Sequence, residues 1–325
     1  MAATVPQKVQ DLVHRFGWDA MVRLTALGIQ NLSDAQILFV DSGGANTLDA
    51  DDGVHGLTME TPLATLDYAV GLCTADQGDV IVVAAGHTET LSGASDLDLD
   101  VNGITIIGLG YGSLRPTFTL GGTDAATTVE INGDNIRMYN LRFVGGDTDG
   151  TTVCIDIKSG SDYVTLEGLE FFETANTTEI LKCITIEDKV DQLTIKDCVF
   201  RNLCSGDNTA AIATEGDEHD FLTIEGCTFI GDWTTGILDL DAAAINYPLI
   251  KDCVMVNYDA TAGKAILLNS ATKAVMVNLR VASAKGDGYP VSDITASYQM
   301  GCEGCEPGKE TVAYLGSAAA TTWAE

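Results

Sequence analysis

Residues 193–200 read LTIKDCVF, and residues 222–229 read LTIEGCTF. The pattern returns at five other places, so that seven copies follow one another at intervals of 26 to 32 residues. The other copies are ITIIGLGY (104–111), IRMYNLRF (136–143), VTLEGLEF (164–171), PLIKDCVM (248–255) and AVMVNLRV (274–281). A motif that recurs at a nearly fixed spacing indicates a solenoid, in which each repeat stacks on its neighbours.

The octet itself predicts two short strands joined by a sharp bend. Positions one, three, six and eight are apolar in nearly every copy, which is strand alternation with a phase slip in the middle. Position five, where the slip falls, is always Gly, Asn or Asp, the residue types that most readily adopt a left-handed backbone conformation. These residues are Gly108, Asn140, Gly168, Asp197, Gly226, Asp252 and Asn278.

A second apolar column precedes successive octets. It reads CIDI (154–157), CITI (183–186), AIAT (211–214), ILDL (237–240) and AILL (265–268). Like strands in register at equal spacing are what a parallel β-helix requires, because each coil buries its apolar side chains only by stacking on the next. We therefore predict coils with at least two strand-lined sides.

Outward positions of the octet favour a wall over a binding groove. Position four reads Glu167, Lys196, Glu225 and Lys251 in four consecutive copies, so opposite charges alternate at cross-strand distance. Position two carries a ladder of Thr165, Thr194 and Thr223. Position six carries Cys198, Cys227 and Cys253, which we interpret as small buried side chains and not as a metal site, because no histidine joins them.

Composition restricts the classes of partner. The chain has 325 residues, with 17 basic and 47 acidic side chains and a net charge of −30. That charge repels phosphate backbones and anionic lipid, so we expect neither nucleic acid nor membrane as a partner. The longest apolar run, VIVVAA at 80–85, is too short to span a bilayer, and no Sec-type signal is evident. Nine cysteines in a long chain favour synthesis in a reducing cytoplasm.

Residues 37–91 contain a run of the form VDxxxG…DG…P…TL…AV…GDVIVV..G ahead of the octets. This run resembles the N-terminal cap of pectate-lyase-like right-handed β-helix proteins. Thr61-Pro62 followed by apolar residues at helical spacing (Leu63, Leu66, Val70 and Cys73) predicts a short helix within it. The matched positions are Asp41, Gly43, Asp52, Gly53, Pro62, Thr65, Leu66, Ala69, Val70, Gly78, Asp79 and Gly86.

The expected fold is thus all-β, a right-handed parallel β-helix of about seven coils with short N-terminal helices and a capping helix. We expect four segments: a helical docking or oligomerisation segment at 1–35, a cap and first coil at 36–103, the β-helix coils at 104–300, and a C-terminal tail at 301–325.

Catalytic signatures that the resemblance implies are missing. The chain has no GHG run and no RxK triplet of the polygalacturonase type, and no lyase-type set of acidic calcium ligands with a basic proton acceptor stands out. Asp49, Asp51 and Asp52 fit either a Ca²⁺ site or a solvated acidic loop, and we favour the loop. We expect no cofactor, no metal and no catalytic residue, although two carboxylates meeting across adjacent coils would escape sequence inspection.

The remaining reactive side chains are interpreted as local features. His55, His87 and His219 stand apart in the sequence and are expected to be surface or loop histidines. Cys302 and Cys305 form a lone CxxC, which we interpret as a turn, with a metal or disulfide role as the alternative.

Apolar residues at the N-terminus suggest a docking segment. Residues 7–30 carry two helical faces separated by Gly17, which serve either as a lid over the rod or as a foot that binds a partner. The tail at 310–325 either covers the last coil or adds a strand to a neighbour. The candidate partner-binding residues are Val9, Leu12, Val13, Phe16, Trp18, Met21, Val22 and Leu24.

Over residues 36–300 the chain also resembles the acidic β-helix proteins of tailed bacteriophages. This resemblance implies a capsid decoration or cement protein that is not an enzyme, binds the major capsid protein and itself as a homotrimer, is made in the host cytoplasm and lies on the virion exterior. The alternative is a tailspike-like protein that binds or depolymerises polysaccharide, with Tyr139 and Tyr163 as outward aromatics. A secreted carbohydrate-binding module is a third hypothesis.

Overall fold

A computed structural model describes most of the chain between residues 35 and 313. The described residues are 35–121, 128–146, 150–173, 178–202, 208–216, 218–241, 244–259, 265–268 and 274–282, with the backbone alone at 264, 283, 291–292, 298–300, 302–306 and 309–313.

Three long sheets carry the fold, with ten, ten and eight strands. Sheet 1 contains Ile37–Val40, Val80–Val83, Thr105–Gly108, Arg137–Tyr139, Thr165–Glu167, Thr194–Lys196, Thr223–Glu225, Leu249–Lys251, Val275–Val277 and Tyr298–Met300. Sheet 2 contains Thr88–Leu91, Thr117–Leu120, Arg142–Gly145, Glu170–Phe172, Val199–Arg201, Thr228–Gly231, Val254–Asn257, Arg280–Ser283, Cys302–Glu306 and Lys309–Ala313. Sheet 3 contains Leu97–Leu99, Val129–Ile131, Thr151–Ile157, Ile180–Ile186, Ala210–Thr214, Gly236–Asp239, Lys264–Leu267 and Val291–Ser292. A two-stranded ladder pairs His219–Asp220 with Ile245–Asn246.

The chain visits the three sheets in turn, and each strand pairs in parallel with the equivalent strand of the next coil. In sheet 1, for example, Thr165 pairs with Thr194 and Thr194 with Thr223. The predicted right-handed parallel β-helix is therefore confirmed. All seven octets contribute strands to sheet 1, and a coil at residues 80–99 precedes them.

The bend in the octet is confirmed in six of the seven copies. Position five has a left-handed backbone at Asn140, Gly168, Asp197, Gly226, Asp252 and Asn278. The first copy differs, because its strand continues through Gly108 and the left-handed residue is Gly110, with φ of 81°. Leu109 consequently packs on an outer apolar cluster, and Tyr111 is 84% exposed instead of filling the core.

Aromatic rings stack along the interior behind sheet 2. Phe171, Phe200 and Phe229 follow one another with ring centroids 4.7 and 4.6 Å apart and nearly parallel planes. In the first coil Phe118, which lies outside the octet, takes the place that Tyr111 was expected to fill. The side chains of the core therefore repeat from coil to coil, as the strands do.

The cysteine column is buried as predicted. Cys198, Cys227 and Cys253 are 0 to 1% exposed and carry free thiols. The thiol of Cys227 lies 3.4 Å from the carbonyl oxygen of Glu225 in its own coil and 3.6 Å from that of Ile195 in the preceding coil. These side chains fill the space between the coils, which leaves no reason to assign them a metal.

The N-terminal cap holds one short helix, Leu66–Gly71. It begins later than Thr61-Pro62 suggested, because Thr65 is the N-cap and its side chain accepts a hydrogen bond from the backbone N–H of Tyr68. Leu66 and Val70 are buried on the first coil. Among the described residues no helix combines the length and apolar character that crossing a bilayer demands.

The far end of the rod is also covered. The strand Cys302–Glu306 pairs in parallel with Arg280–Ser283 and in antiparallel fashion with Lys309–Ala313, which breaks the parallel pattern. The turn expected at Cys302 and Cys305 is therefore wrong, since both lie within a strand of a hairpin.

The outer face of sheet 1 is the self-paired wall that the octet predicts. Nζ of Lys196 lies 3.4 Å from Oε1 of Glu167, and Nζ of Lys251 lies 2.9 Å from Oε1 of Glu225. Exposed pairs of this kind contribute little to stability individually, but they leave this face without charge available for a ligand.

Candidate functional site

The sequence-predicted docking residues fall outside the described residues. Val9, Leu12, Val13, Phe16, Trp18, Met21, Val22 and Leu24 all belong to this part of the chain. The docking hypothesis therefore stays a prediction.

The acidic loop at 49–52 uses its carboxylates within the cap. Asp49 accepts hydrogen bonds from the backbone of Ala64 at 2.7 Å and from the hydroxyl of Thr65 at 2.9 Å. Asp52 accepts from the backbone N–H groups of His55 and Val54, and these bonds lower the pKa of Asp52 to about 2. In the described part of the chain no three His, Cys, Asp or Glu side chains converge as metal ligands.

Two of the three histidines are buried, which corrects the expectation of surface positions. His87 is 0% exposed, accepts from the backbone N–H of Ser42 at 3.0 Å and lies 3.2 Å from Oε2 of Glu89. His219 is 2% exposed, and burial lowers its pKa. Both rings hold loops onto the coils, and neither faces a site.

The outer face of sheet 3 is where polar side chains collect. One row of outward residues runs in register across six strands: Asp98, Glu130, Asp156, Thr185, Ala213 and Asp239. Three of its oxygens, Oδ1 of Asp156, Oγ1 of Thr185 and Oδ1 of Asp239, are buried and lack a hydrogen-bond donor within the described residues. Buried oxygens without partners are costly, so such a row is a candidate ligand-binding surface.

A second outward row lies two residues further along the five strands that follow Leu97–Leu99. It contains Asn132, Lys158, Glu187, Glu215 and Asp241. Nζ of Lys158 lies 2.6 Å from Asp156, 3.1 Å from Glu187 and 3.5 Å from Glu130. Partial burial disfavours the charge of Lys158, but hydrogen bonds to Asp156 and Glu187 prevail and raise its pKa. One lysine thus holds three carboxylates together near the middle of the face.

Four charged residues lie at three adjacent strands of sheet 3, those at 180–186, 210–214 and 236–239. Lys182 lies 2.5 Å from Oε1 of Glu215, whose side chain is half-exposed. Burial and, after it, a hydrogen bond with the carboxyl of Asp241 together raise the pKa of Asp239 to about 6. The small Ala213 pairs in register with Asp239, so no bulky side chain separates Asp239 from the strand that carries Glu215.

This cluster can perform acid–base chemistry. Asp239 keeps its proton to higher pH than an ordinary aspartate, as a general acid requires. Glu215 is paired with a lysine. Asp239 and Glu215 are diagonal neighbours at adjacent strands, with Cα atoms about 8 Å apart.

Sequence inspection missed this cluster. The second apolar column had been noted for its buried positions, while Asp156, Thr185 and Asp239 are the alternate, outward positions of the same strands. Strand alternation alone identifies them as outward, but the proton shared by Asp239 and Asp241 depends on burial that no sequence pattern reports.

Solved structures similar to the chain are pectate-lyase-like parallel β-helix proteins. A rhamnogalacturonan lyase matches with a TM-score of 0.50 and 12% identity over 78% of this chain and 75% of its own. The pectin methylesterase of Aspergillus niger matches with a TM-score of 0.50 and 16% identity over 86% of this chain and 88% of its own. At these identities the likeness concerns the fold alone. No protein-family description matches the sequence, and no curated protein does.

These structures correct one expectation. The prediction that the chain is not an enzyme is contradicted, because the same architecture carries lyase and esterase activity in the proteins that resemble it. The missing GHG and RxK runs are therefore no ground for excluding catalysis. Neither of these two structures is of a capsid protein, so the phage hypothesis gains no support from them.

Proposed function

We propose that this protein binds a neutral polysaccharide on the outer face of sheet 3 and hydrolyses it. The observation that carries the proposal is the cluster of Asp239, Asp241, Glu215 and Lys182, in which one carboxyl holds its proton and another is paired with a lysine. Two carboxyl groups in these different states are the minimum that glycoside hydrolysis requires.

In the proposed reaction, Asp239 donates its proton to the oxygen of the glycosidic bond as that bond breaks. The carboxylate of Glu215 takes a proton from a water molecule, whose oxygen attacks the anomeric carbon. Lys182 holds Glu215 in place before the reaction. Asp241 stabilises the protonated form of Asp239.

The charge of the face favours a neutral substrate. The two outward rows contain seven carboxylates and one basic residue, Lys158. Lys182 adds a second basic residue at the cluster. The carboxylates are those of Asp98, Glu130, Asp156, Asp239, Glu187, Glu215 and Asp241. A polyuronate would meet like charge along the whole face, whereas the hydroxyl groups of a neutral sugar would donate hydrogen bonds to it.

The names of the similar structures support the same class of function. They include a rhamnogalacturonan lyase and a pectin methylesterase, both named for polysaccharides. The likeness therefore supports polysaccharides as the class of ligand. The proposed acid and base are argued separately, from this chain's own residues.

The proposal is tested by measuring reducing ends released from neutral polysaccharides by the wild-type protein, Asp239→Asn and Glu167→Gln. Glu167 lies on the outer wall of sheet 1, away from the proposed site, so Glu167→Gln is the control for an acid-to-amide change. We expect Asp239→Asn to lose activity by about 10²-fold or more and Glu167→Gln to retain it. No release by the wild-type protein, or equal rates for all three proteins, contradicts the proposal.

Capsid decoration by residues 7–30 stays a separate prediction. Its partner, its trimeric state and its location on the virion exterior rest on the phage resemblance. The activity of the sheet 3 face is independent of it.

A further inference from the structure

The coils have a second left-handed corner, at the passage from sheet 3 to sheet 1. Its described residues are Gly103, with φ of 78°, and Asn135, Tyr163, Gln192, Phe221 and Tyr247, with φ between 57° and 60°. The corner is fixed by the backbone: the N–H of Tyr163 donates to the carbonyl of Asp191 at 3.0 Å, and that of Phe221 to the carbonyl of Asn246 at 2.9 Å. The six residues therefore lie in one row along the rod, one per coil.

The residue types in this row are unexpected for its backbone. At the corner between sheet 1 and sheet 2, every described left-handed residue of the octets is Gly, Asn or Asp. At the second corner three of the six described residues are aromatic, although a bulky side chain with positive φ is strained. Asn135 adopts the same backbone conformation in the same row, so this conformation does not require an aromatic side chain.

The core does not demand the rings either. Tyr163, Phe221 and Tyr247 are 51, 52 and 42% exposed. Residues held in strained conformations cluster at functional sites, and exposed aromatic rings are common at binding surfaces. Three strained rings that face solvent in one row therefore point to a ligand.

The row is rigid before any ligand arrives. The residue preceding the corner is an aspartate in four of these coils, and the aspartates form a ladder: Oδ1 of Asp162 accepts from the N–H of Asp191 at 2.9 Å, and Oδ1 of Asp191 from that of Asp220 at 2.8 Å. Asn246 precedes Tyr247, and its Nδ2 donates to Oδ1 of Asp220 at 2.8 Å. The rings of Phe221 and Tyr247 stack 5.2 Å apart with planes 11° from parallel. Little side-chain freedom remains to be lost on binding.

We propose that Tyr163, Phe221 and Tyr247 form a stacking platform for a neutral polysaccharide strand that lies along the rod. The inference rests on the proposed function and extends it to the binding of the chain beyond the cleavage point. Phe221 follows Glu215 by six residues and Tyr247 follows Asp241 by six, so the platform borders the proposed catalytic rows. Tyr163 and Phe221 are two coils apart, about 9.6 Å, with the polar Gln192 between them.

The chemistry of the row selects this ligand. The flat apolar face of a pyranose ring packs on an aromatic ring, while its hydroxyl groups donate to carboxylates such as those of the neighbouring aspartate ladder. Nucleobases also stack on aromatic rings, but their phosphates are repelled by a chain of net charge −30.

The test is the double variant Tyr163→Asn, Phe221→Asn. Asn suits a left-handed backbone, so this variant removes both rings while relieving strain, and its melting temperature is expected to equal or exceed that of the wild-type protein. Tyr111→Asn is the matched control, because Tyr111 is 84% exposed and lies outside the row. Binding is measured by affinity electrophoresis in gels that contain hydroxyethyl cellulose, galactomannan or polygalacturonate.

We expect the wild-type protein and Tyr111→Asn to be retarded by a neutral polymer and not by polygalacturonate. The double variant should bind the neutral polymer about tenfold more weakly. Equal retardation of the double variant and the wild-type protein overturns the inference, as does binding to polygalacturonate alone.

Asp239→Asn distinguishes the two proposals: if it binds as the wild-type protein does and none of the proteins cleaves the polymer, the platform stands and the hydrolytic function fails. Failure of the wild-type protein to bind either neutral polymer overturns both.

Discussion

Nδ2 of Asn208 donates a hydrogen bond to Oε1 of Glu173 at 2.5 Å inside the rod, where both residues are nearly inaccessible to solvent. The backbone N–H of Ile180 donates to the same oxygen at 2.9 Å. The other oxygens of the pair, Oε2 of Glu173 and Oδ1 of Asn208, are buried and lack a hydrogen-bond donor in the described part of the chain. A proton on Oε2 directed at Oδ1 would satisfy both, since an acid and an amide can form a ring of two hydrogen bonds.

The protonation of Glu173 gives the first prediction. Burial raises the pKa of Glu173 to about 7 from an ordinary value of 4.5, and the nearby Glu179 adds to the shift, against hydrogen bonds from Ile180 and Asn208. Because the folded-state pKa is the higher one, the stabilisation is fully present below pH 4.5 and is lost as pH rises through 7. We expect Glu173→Gln to reduce the fall in unfolding free energy between pH 5 and 8 by roughly 3 kcal/mol, measured by urea denaturation.

Glu167→Gln is the control for this prediction, because Glu167 lies on the solvated wall opposite Lys196. It should leave the pH dependence unchanged. If the unfolding free energy of Glu173→Gln falls with pH as steeply as that of the wild-type protein, Glu173 is ionised in the folded protein and the acid–amide pair does not exist. Asp239, whose pKa is also raised, makes the unfolding free energy fall with rising pH as well, and this contribution remains in both variants.

The cysteine ladder gives the second prediction. Cys227→Ser should lower the free energy of unfolding by about 1–3 kcal/mol, because a hydroxyl enters a dry space between Cys198 and Cys253. Cys73→Ser, at the partly exposed end of the capping helix, should cost less. Equal costs for the two variants in chemical denaturation would show that the ladder is not dry.

The left-handed corners give the third prediction. Gly226 is a poor test site, because a Cβ there would contact Oδ1 of Asp197, whereas Gly168 has φ of 66° and no atom nearer than 3.8 Å to such a Cβ. Gly168→Asn should therefore be nearly neutral, and Gly168→Val should lower the melting temperature markedly, since a β-branched side chain resists positive φ. A similar loss for both variants would mean that space, and not backbone conformation, restricts this corner.

The aspartate ladder gives the fourth prediction. Asp191→Ala removes the oxygen that accepts from the backbone of Asp220 and should cost about 1 kcal/mol of stability. Asp191→Asn keeps an oxygen at the same place and should be close to neutral. Equal losses of melting temperature for the two variants would assign the role of Asp191 to its charge, which both variants remove.

The fold follows from the octet to an unusual degree. Two apolar pairs separated by one left-handed residue predict both strands and their corner, as the conformation of Asn140, Asp197 and Asp252 confirms. The first copy fails because Gly110 also tolerates positive φ, so the bend moved two residues and Tyr111 left the core. A pattern that permits two bends cannot decide between them.

The site was less predictable for a physical reason. The outward position of Asp239 follows from strand alternation, but its raised pKa requires the burial supplied by its surroundings and the nearby Asp241. The second left-handed corner was missed because its six described residues share a backbone conformation and not a residue type. The burial of His87 and His219 was missed because the backbone groups that they bond, at Ser42 and Val190, lie in segments outside the octet repeat.

The most direct test of the central claim is the pH dependence of polysaccharide hydrolysis by the wild-type protein and Asp239→Asn. If Asp239 is the general acid, release of reducing ends from a neutral polymer should fall tenfold per pH unit above about pH 6, as the Asp239 carboxyl loses its proton. Asp239→Asn should be inactive at every pH while retaining the wild-type melting temperature. A rate that stays level from pH 5 to 8, or an Asp239→Asn variant as active as the wild-type protein, would contradict the account.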